Sequence, residues 1–155
     1  PLLACRQPMA SDLRFVIFTM KMVTDLERIA DQAVNICERV IQLGSDGTLV
    51  PYSALEQMGT LVTGMVHDSI DAFVDQSGTL ARDVIDRDDE VDELYHKTFR
   101  SLMSQMHQDS TMIPRCIHIQ SIAKFLERMG DHSTNLAEQA IFMIKGKDIR
   151  HEGKL

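Results

Sequence analysis

Six carboxylates stand out by their spacing. Glu27 with Asp31, Asp88 with Asp92, and Glu127 with Asp131 are each separated by one helical turn. Residues four apart share a face of a helix, where like charges weaken it by roughly a few tenths of a kcal/mol, a sign that a bound cation reverses. Donors that are all oxygen suit hard or borderline cations such as Mg²⁺, Mn²⁺, Ca²⁺ or iron, and carboxylates can bridge more than one ion. A single Glu-x-x-x-Asp pair is more often a solvated face, here with Arg28 and Arg128 neutralising their neighbours.

Duplication shifts that balance. Segment 25–41, DLERIADQAVNICERVI, aligns without a gap on segment 125–141, FLERMGDHSTNLAEQAI, at an offset of 100 residues. An internal repeat implies two copies of one supersecondary unit. Both copies keep the acids, Glu27, Asp31 and Glu38 matching Glu127, Asp131 and Glu138, with Asn35 matching Asn135, while neighbouring surface positions diverge. With Leu126 as origin and about 100° per residue, the acids of the second copy cluster at about 100–140°, on one flank of the apolar stripe.

These positions belong to helices. Strand signals are almost absent, and the punctuation predicts a first helix from Pro8 to Leu43, ended by Gly44 and a loop at Ser45-Asp46-Gly47-Thr48. A second starts behind Pro51, with Ser53 and Glu56 in capping-box spacing, buries Leu55, Met58, Val62, Met65, Ser69 and Phe73, and ends near Gln76-Ser77-Gly78. A third runs from Thr79 to His107 with Val84, Val91, Tyr95, Thr98 and Leu102 inward, its acids massed toward its N-terminal half. A last helix runs from Pro114 to Lys145, before Gly146, with Ile122, Leu126, Met129, Ser133, Leu136 and Ala140 as its stripe.

Short connections force antiparallel neighbours, so 52–145 reads as an up-down-up three-helix bundle and 8–43 as one helix of another. About a turn near residue 110, positions summing to about 221 then lie side by side, which sets Asp92 and Asp88 opposite the helix carrying Glu127 and Asp131. Four carboxylates converge in one groove. His132 points about 100° away from Asp131 and is not expected to join them, and His118 reads as a core histidine.

Composition narrows the function. The 155 residues carry 16 Lys and Arg against 23 Asp and Glu, a formal charge of −7 with no basic cluster, which disfavours nucleic acid. No apolar run approaches the roughly 20 residues needed to span a bilayer. Cys5, Cys37 and Cys116 are scattered, so neither a disulfide framework nor a zinc knuckle is indicated, and reduced thiols are expected. Most of the ten Met sit at helical spacing as core filler. The opening Pro1-Leu2-Leu3 lies inside an apolar run without a helix-start signal, so the chain reads as a fragment lacking about two upstream helices, with Leu2 to Arg6 a remnant of the second.

The chain resembles the PhoU family of phosphate-signalling proteins. The matching features are Arg6-Gln7-Pro8 with Ser11-Asp12-Leu13-Arg14, the two Leu-Glu-Arg-x-small-Asp-x-x-x-Asn segments, Arg87-Asp88-Asp89-Glu90-Val91-Asp92, and the ending Lys145-Gly146-Lys147-Asp148-Ile149-Arg150-His151. The resemblance implies an all-α fold of tandem three-helix bundles, here the C-terminal part of the first over 1–46, a complete second over 50–147, and a tail over 148–155. It also implies that Glu27, Asp31, Asp88, Asp92, Glu127 and Asp131 bind divalent or iron ions (Fe, Mn, Mg or Zn). The upstream partner of Glu27 and Asp31 is absent, so only the second site is expected to be complete.

The implied role is a non-enzymatic adaptor that restrains the phosphate-starvation response by linking the phosphate ABC transporter ATPase to the sensor histidine kinase PhoR. Such a protein would be cytoplasmic, peripheral at the inner face of the membrane, and homodimeric. Residues 15–23, apolar nearly all round and without their bundle partners, are expected to seek burial elsewhere, as in a second chain. The alternative is a carboxylate-bridged metal bundle for storage or catalysis, although no phosphate loop, nucleophile elbow or His-Glu-x-x-His stands beside the acids and the Glu-x-x-His of ferritin-like bundles is missing. A phosphotransfer bundle would need an exposed His beside a basic residue, which His118 fits poorly.

Overall fold

A computed structural model describes residues 10–45 and 52–152, which hold five α-helices and a short 3₁₀ turn. They are α1 (Ala10–Ser45), α2 (Ser53–Val74), α3 (Gly78–Asp86), α4 (Asp88–Gln108) and α5 (Ile113–Glu152), with the 3₁₀ turn at Ser110–Met112. The expected remnant at Leu2 to Arg6, the helix start at Pro8 and the loop centre at 46–48 lie outside the described residues. Among the described residues, no helix is long and apolar enough to cross a membrane.

The fold is all-α, and α5 is its hub: every other α-helix packs on it. Met58, Val62, Met65 and Ala72 of α2, Ala81 and Val84 of α3, Val91 and Leu94 of α4, and Ala123, Ala137 and Ala140 of α5 form the bundle core. These are the stripes the apolar spacing marks. Thr98, Ser69 and Ser133 are buried among them. Each hydroxyl donates back to a backbone carbonyl in its own helix, so none is left unpaired at depth.

Four boundaries differ from expectation. Helix α1 runs through Gly44 to Ser45 instead of stopping at Leu43. At the start of α2, Tyr52 rather than Ser53 takes the cap position, with no side-chain cap bond. Its phenol donates instead to Gln105 Oε1 at 3.1 Å, anchoring the chain entry to α4. The expected single helix over 79–107 is broken at Arg87, whose guanidinium is pinned by Asp68 of α2 and, at 3.0 Å, by Asp83 of α3. A new helix therefore begins with Asp88, Asp89 and Glu90 in its first turn, where the positive end of the helix dipole favours them. Finally, α5 runs through Gly146 to Glu152. One interior glycine costs about 1 kcal/mol relative to alanine, too little to stop a long helix without a capping turn or proline behind it.

Helix α1 lies antiparallel along α5. Phe18 stacks on Phe142 with centroids 6.4 Å apart, Asp25 meets His132 and Gln139, and Leu43 shares a cluster with Ile119. Exchanging the two repeat copies maps Phe18 and Phe142 onto Gln42 and His118, adjacent to the Leu43–Ile119 contact. The copies are thus related by an approximate two-fold axis, the arrangement a duplication of one unit produces. Within this chain Met22 is buried, whereas Phe15 and Met20 remain 52% and 65% exposed.

Candidate functional site

The site is a ladder between α4 and α5. Positions 88, 92 and 95 of α4 fall on one face, as do 120, 124, 127, 131 and 134 of α5, because both sets step by three or four residues. Contacts fix the register. A side chain on Gly130 would begin 3.5 Å from Asp88 Oδ1 and from Val91, Asp88 and Asp131 act on each other electrostatically, and Gln120 Nε2 donates to the Tyr95 hydroxyl at 2.9 Å. This antiparallel pairing sets Asp88 and Asp92 near Asp131 and Val91 against Gly130, on the register of about 221 read off the sequence. Gly130, buried and without a Cβ, lets α4 come close enough for the carboxylates to sense one another.

The electrostatics carry the mark of crowding. Burial pushes the Asp88 carboxyl above its ordinary 3.8, and the charges of Asp131 and Asp92 push it further, against a hydrogen bond from Thr134. Partial desolvation at the rim also raises Asp131, with Glu127 and Asp92 adding to it and Lys124 and His132 opposing. Glu127, 16% exposed, takes a hydrogen bond from Lys124 Nζ at 2.6 Å on Oε1. Its Oε2 is buried with no hydrogen-bond partner. An unpaired buried carboxylate oxygen costs about 1–3 kcal/mol, a cost that a cation at this oxygen would offset.

A raised carboxyl pKa has a defined stability signature. Between the unfolded value near 3.8 and the raised folded value the native state binds more protons, so stability falls as pH rises through that window and stays lower above it. Asp131→Asn removes the repulsion with Glu127 and Asp92. It is expected to raise Tm at pH 7 by about 2 °C, from like-charge terms of a few tenths of a kcal/mol each, with no gain at pH 3. Thermal melts at both pH values check this, and an equal shift at both contradicts it.

The other two predicted acids lie elsewhere. Glu27 and Asp31 are exposed on α1, with Arg28 3.6 Å from Asp31, and do not join the ladder. His132 turns away from Asp131, as its angle predicts, and its Nδ1 shares a hydrogen bond with Asp25 Oδ1 at 2.9 Å. Gln139 Nε2 donates to Asp25 Oδ2 at 2.8 Å, so one 14%-exposed carboxylate ties α1 to α5. This clamp and Lys124 escaped the sequence reading. Lys124 was findable, since it stands three residues before Glu127 on the same face. The exposed Cys37 and the buried Cys116 are both free, and burial raises the Cys116 thiol, which keeps it unreactive.

The donor set fits a hard cation: four carboxylates from two helices, a buried oxygen without a partner, and a lysine ammonium already drawn to one of them. Among the described residues, no three His, Cys, Asp or Glu side chains stand together closely enough to hold a metal as they are placed. Asp92 and Asp131 are exposed on the rim of the groove.

The family model described as "PhoU domain" matches residues 2–40 and 55–140. The phosphate-specific transport system accessory protein PhoU homolog of Aquifex aeolicus is 42% identical over 151 residues, 97% of this chain and 68% of its own length. The homolog of the same description from Zymomonas mobilis is 43% identical over 155 residues, 99% of this chain and 65% of its own length. Among solved structures, PhoU from Pseudomonas aeruginosa superposes with a TM-score of 0.89 at 40% identity, covering 94% of this chain and 70% of that one. The phosphate transport system regulatory protein PhoU from Streptococcus pneumoniae gives 0.80 at 30% identity, covering 90% and 66%. The chain belongs to the PhoU family, and it spans about two thirds of the length of the curated relatives it matches.

Proposed function

We propose that this chain is part of an accessory protein of phosphate transport that works by docking rather than by catalysis, with the α4–α5 groove as a divalent-cation site that tunes the docking. The observation that carries the reading is the facing of Asp88 and Asp92 against Glu127 and Asp131, with the Glu127 Oε2 buried and unpaired. Carboxylates crowded in one groove repel one another, and a cation bound among them would relieve that repulsion. Relatives named as accessory proteins of the phosphate-specific transport system supply the direction of the role. On this reading the partners are the transporter ATPase on the cytoplasmic face and the PhoR kinase, and the protein represses the phosphate-starvation response. Exposed Phe15, Ile17, Met20 and Val23 of α1 offer a surface for a second copy.

Pull-down tests this. The protein is immobilised and offered the transporter ATPase, the PhoR cytoplasmic domain and a differently tagged second copy of itself, with and without Mn²⁺. Capture of the ATPase that Mn²⁺ strengthens at least several-fold is expected. Failure to capture either partner with or without Mn²⁺ contradicts the adaptor role, and capture indifferent to Mn²⁺ removes the groove from it.

A further inference from the structure

The groove already holds one cation from the chain itself, the ammonium of Lys124. Lys124 sits one turn before Glu127 and two turns before Asp131 on the same face of α5. Its Nζ holds Glu127 Oε1 at 2.6 Å and lies 5.4 Å from the centroid of the Tyr95 ring on α4. Gln120 fixes that ring by donating to its hydroxyl at 2.9 Å. The ammonium therefore has a built seat, formed by a carboxylate and the face of an oriented aromatic ring. Its charge also reaches Asp131, where it opposes the repulsion from Glu127 and Asp92.

Two further features make the seat exchangeable. The Lys124 side chain is 42% exposed, so its four-carbon stem can carry the ammonium out to water. Only one Glu127 oxygen is taken, and the buried Oε2 remains for a second charge. One positive charge among four carboxylates leaves a deficit that a divalent ion would fill better.

We infer that Lys124 is the resident counter-cation of the α4–α5 groove and competes with divalent ions for Glu127, so that an incoming ion must displace its ammonium from Glu127 and from the Tyr95 ring. This rests on the cation-site reading of the groove and adds a threshold to it. The first repeat copy lacks the device: Thr24 stands at the position equivalent to Lys124, and its hydroxyl donates to the Met20 carbonyl at 3.1 Å. The threshold therefore belongs to the second copy.

Lys124→Met keeps the unbranched stem up to the ε position and removes the charged ammonium. It is expected to tighten Mn²⁺ binding about tenfold, the equivalent of about 1.4 kcal/mol, as read by equilibrium dialysis. Lys97→Met is the control for net charge, since Lys97 is exposed on the opposite face of α4. A second readout follows the ammonium directly. Mg²⁺ added to the wild type should shift the Tyr95 ring resonances in the NMR spectrum, and the same addition to Lys124→Met should leave that component of the shift out. Equal Mn²⁺ affinity in wild type and Lys124→Met, or an equal gain in Lys97→Met, overturns the competition while leaving the cation site standing. Absence of Mn²⁺ binding in all three proteins overturns both.

Discussion

Leu136→Ala is expected to destabilise the chain by about 3 kcal/mol, lowering Tm by about 6–12 °C. Leu136 is fully buried where three helices meet, clustered with Met22 and Ile29 of α1 and against Val66 and Phe73. Truncating it removes apolar burial and leaves a cavity that these neighbours cannot all close, because α1, α2 and α5 are held elsewhere along their lengths. The Asp25 clamp to His132 and Gln139 stands beside the cavity and keeps α1 in register, so the loss appears as stability rather than as a new packing. Thermal denaturation followed by helical circular dichroism checks this. A loss below about 1 kcal/mol would contradict the close packing of α1 on α5.

The second large effect belongs to the groove. Asp92→Asn combined with Glu127→Gln removes two of its four charges, one from each helix. Both replacements keep the size of the side chain and one of its two acceptor oxygens. Divalent binding is expected to be lost by at least about a hundredfold, since each carboxylate facing the ion contributes a charge-assisted interaction of about 1.5–3 kcal/mol. Helicity and Tm should hold or rise slightly, because the change also relieves repulsion with Asp88 and Asp131. Dialysis against Mn²⁺ measures the first quantity and circular dichroism the second. Undiminished binding in the folded double variant would remove these residues from the site.

How much of this was legible in the sequence depends on how local each feature is. Helix type and core stripes follow from apolar spacing, and Met58, Val62, Val84, Val91, Leu102 and Ser133 are buried where their periodicity puts them. The facing of Asp88 and Asp92 against Glu127 and Asp131 was also readable, because a short turn between two helices fixes their register. The break at Arg87 was not read, since it depends on Asp68, nineteen residues away on another helix, although the run Asp88-Asp89-Glu90 is itself a helix-start signal. The Asp25 clamp could not be read at all. It joins residues more than 100 positions apart, through a pairing of repeat copies that only the packed structure shows.

The central claim is that the α4–α5 groove binds a divalent cation through side chains of both helices. Electron paramagnetic resonance of Mn²⁺ tests it most directly, because the sharp signal of the free ion broadens away when the ion is held by protein. Titrating the wild-type chain should deplete the free-ion signal, and the Asp92→Asn, Glu127→Gln double variant should leave it undiminished. A free-ion signal that persists in the wild type, or that is depleted equally in both proteins, would contradict the claim.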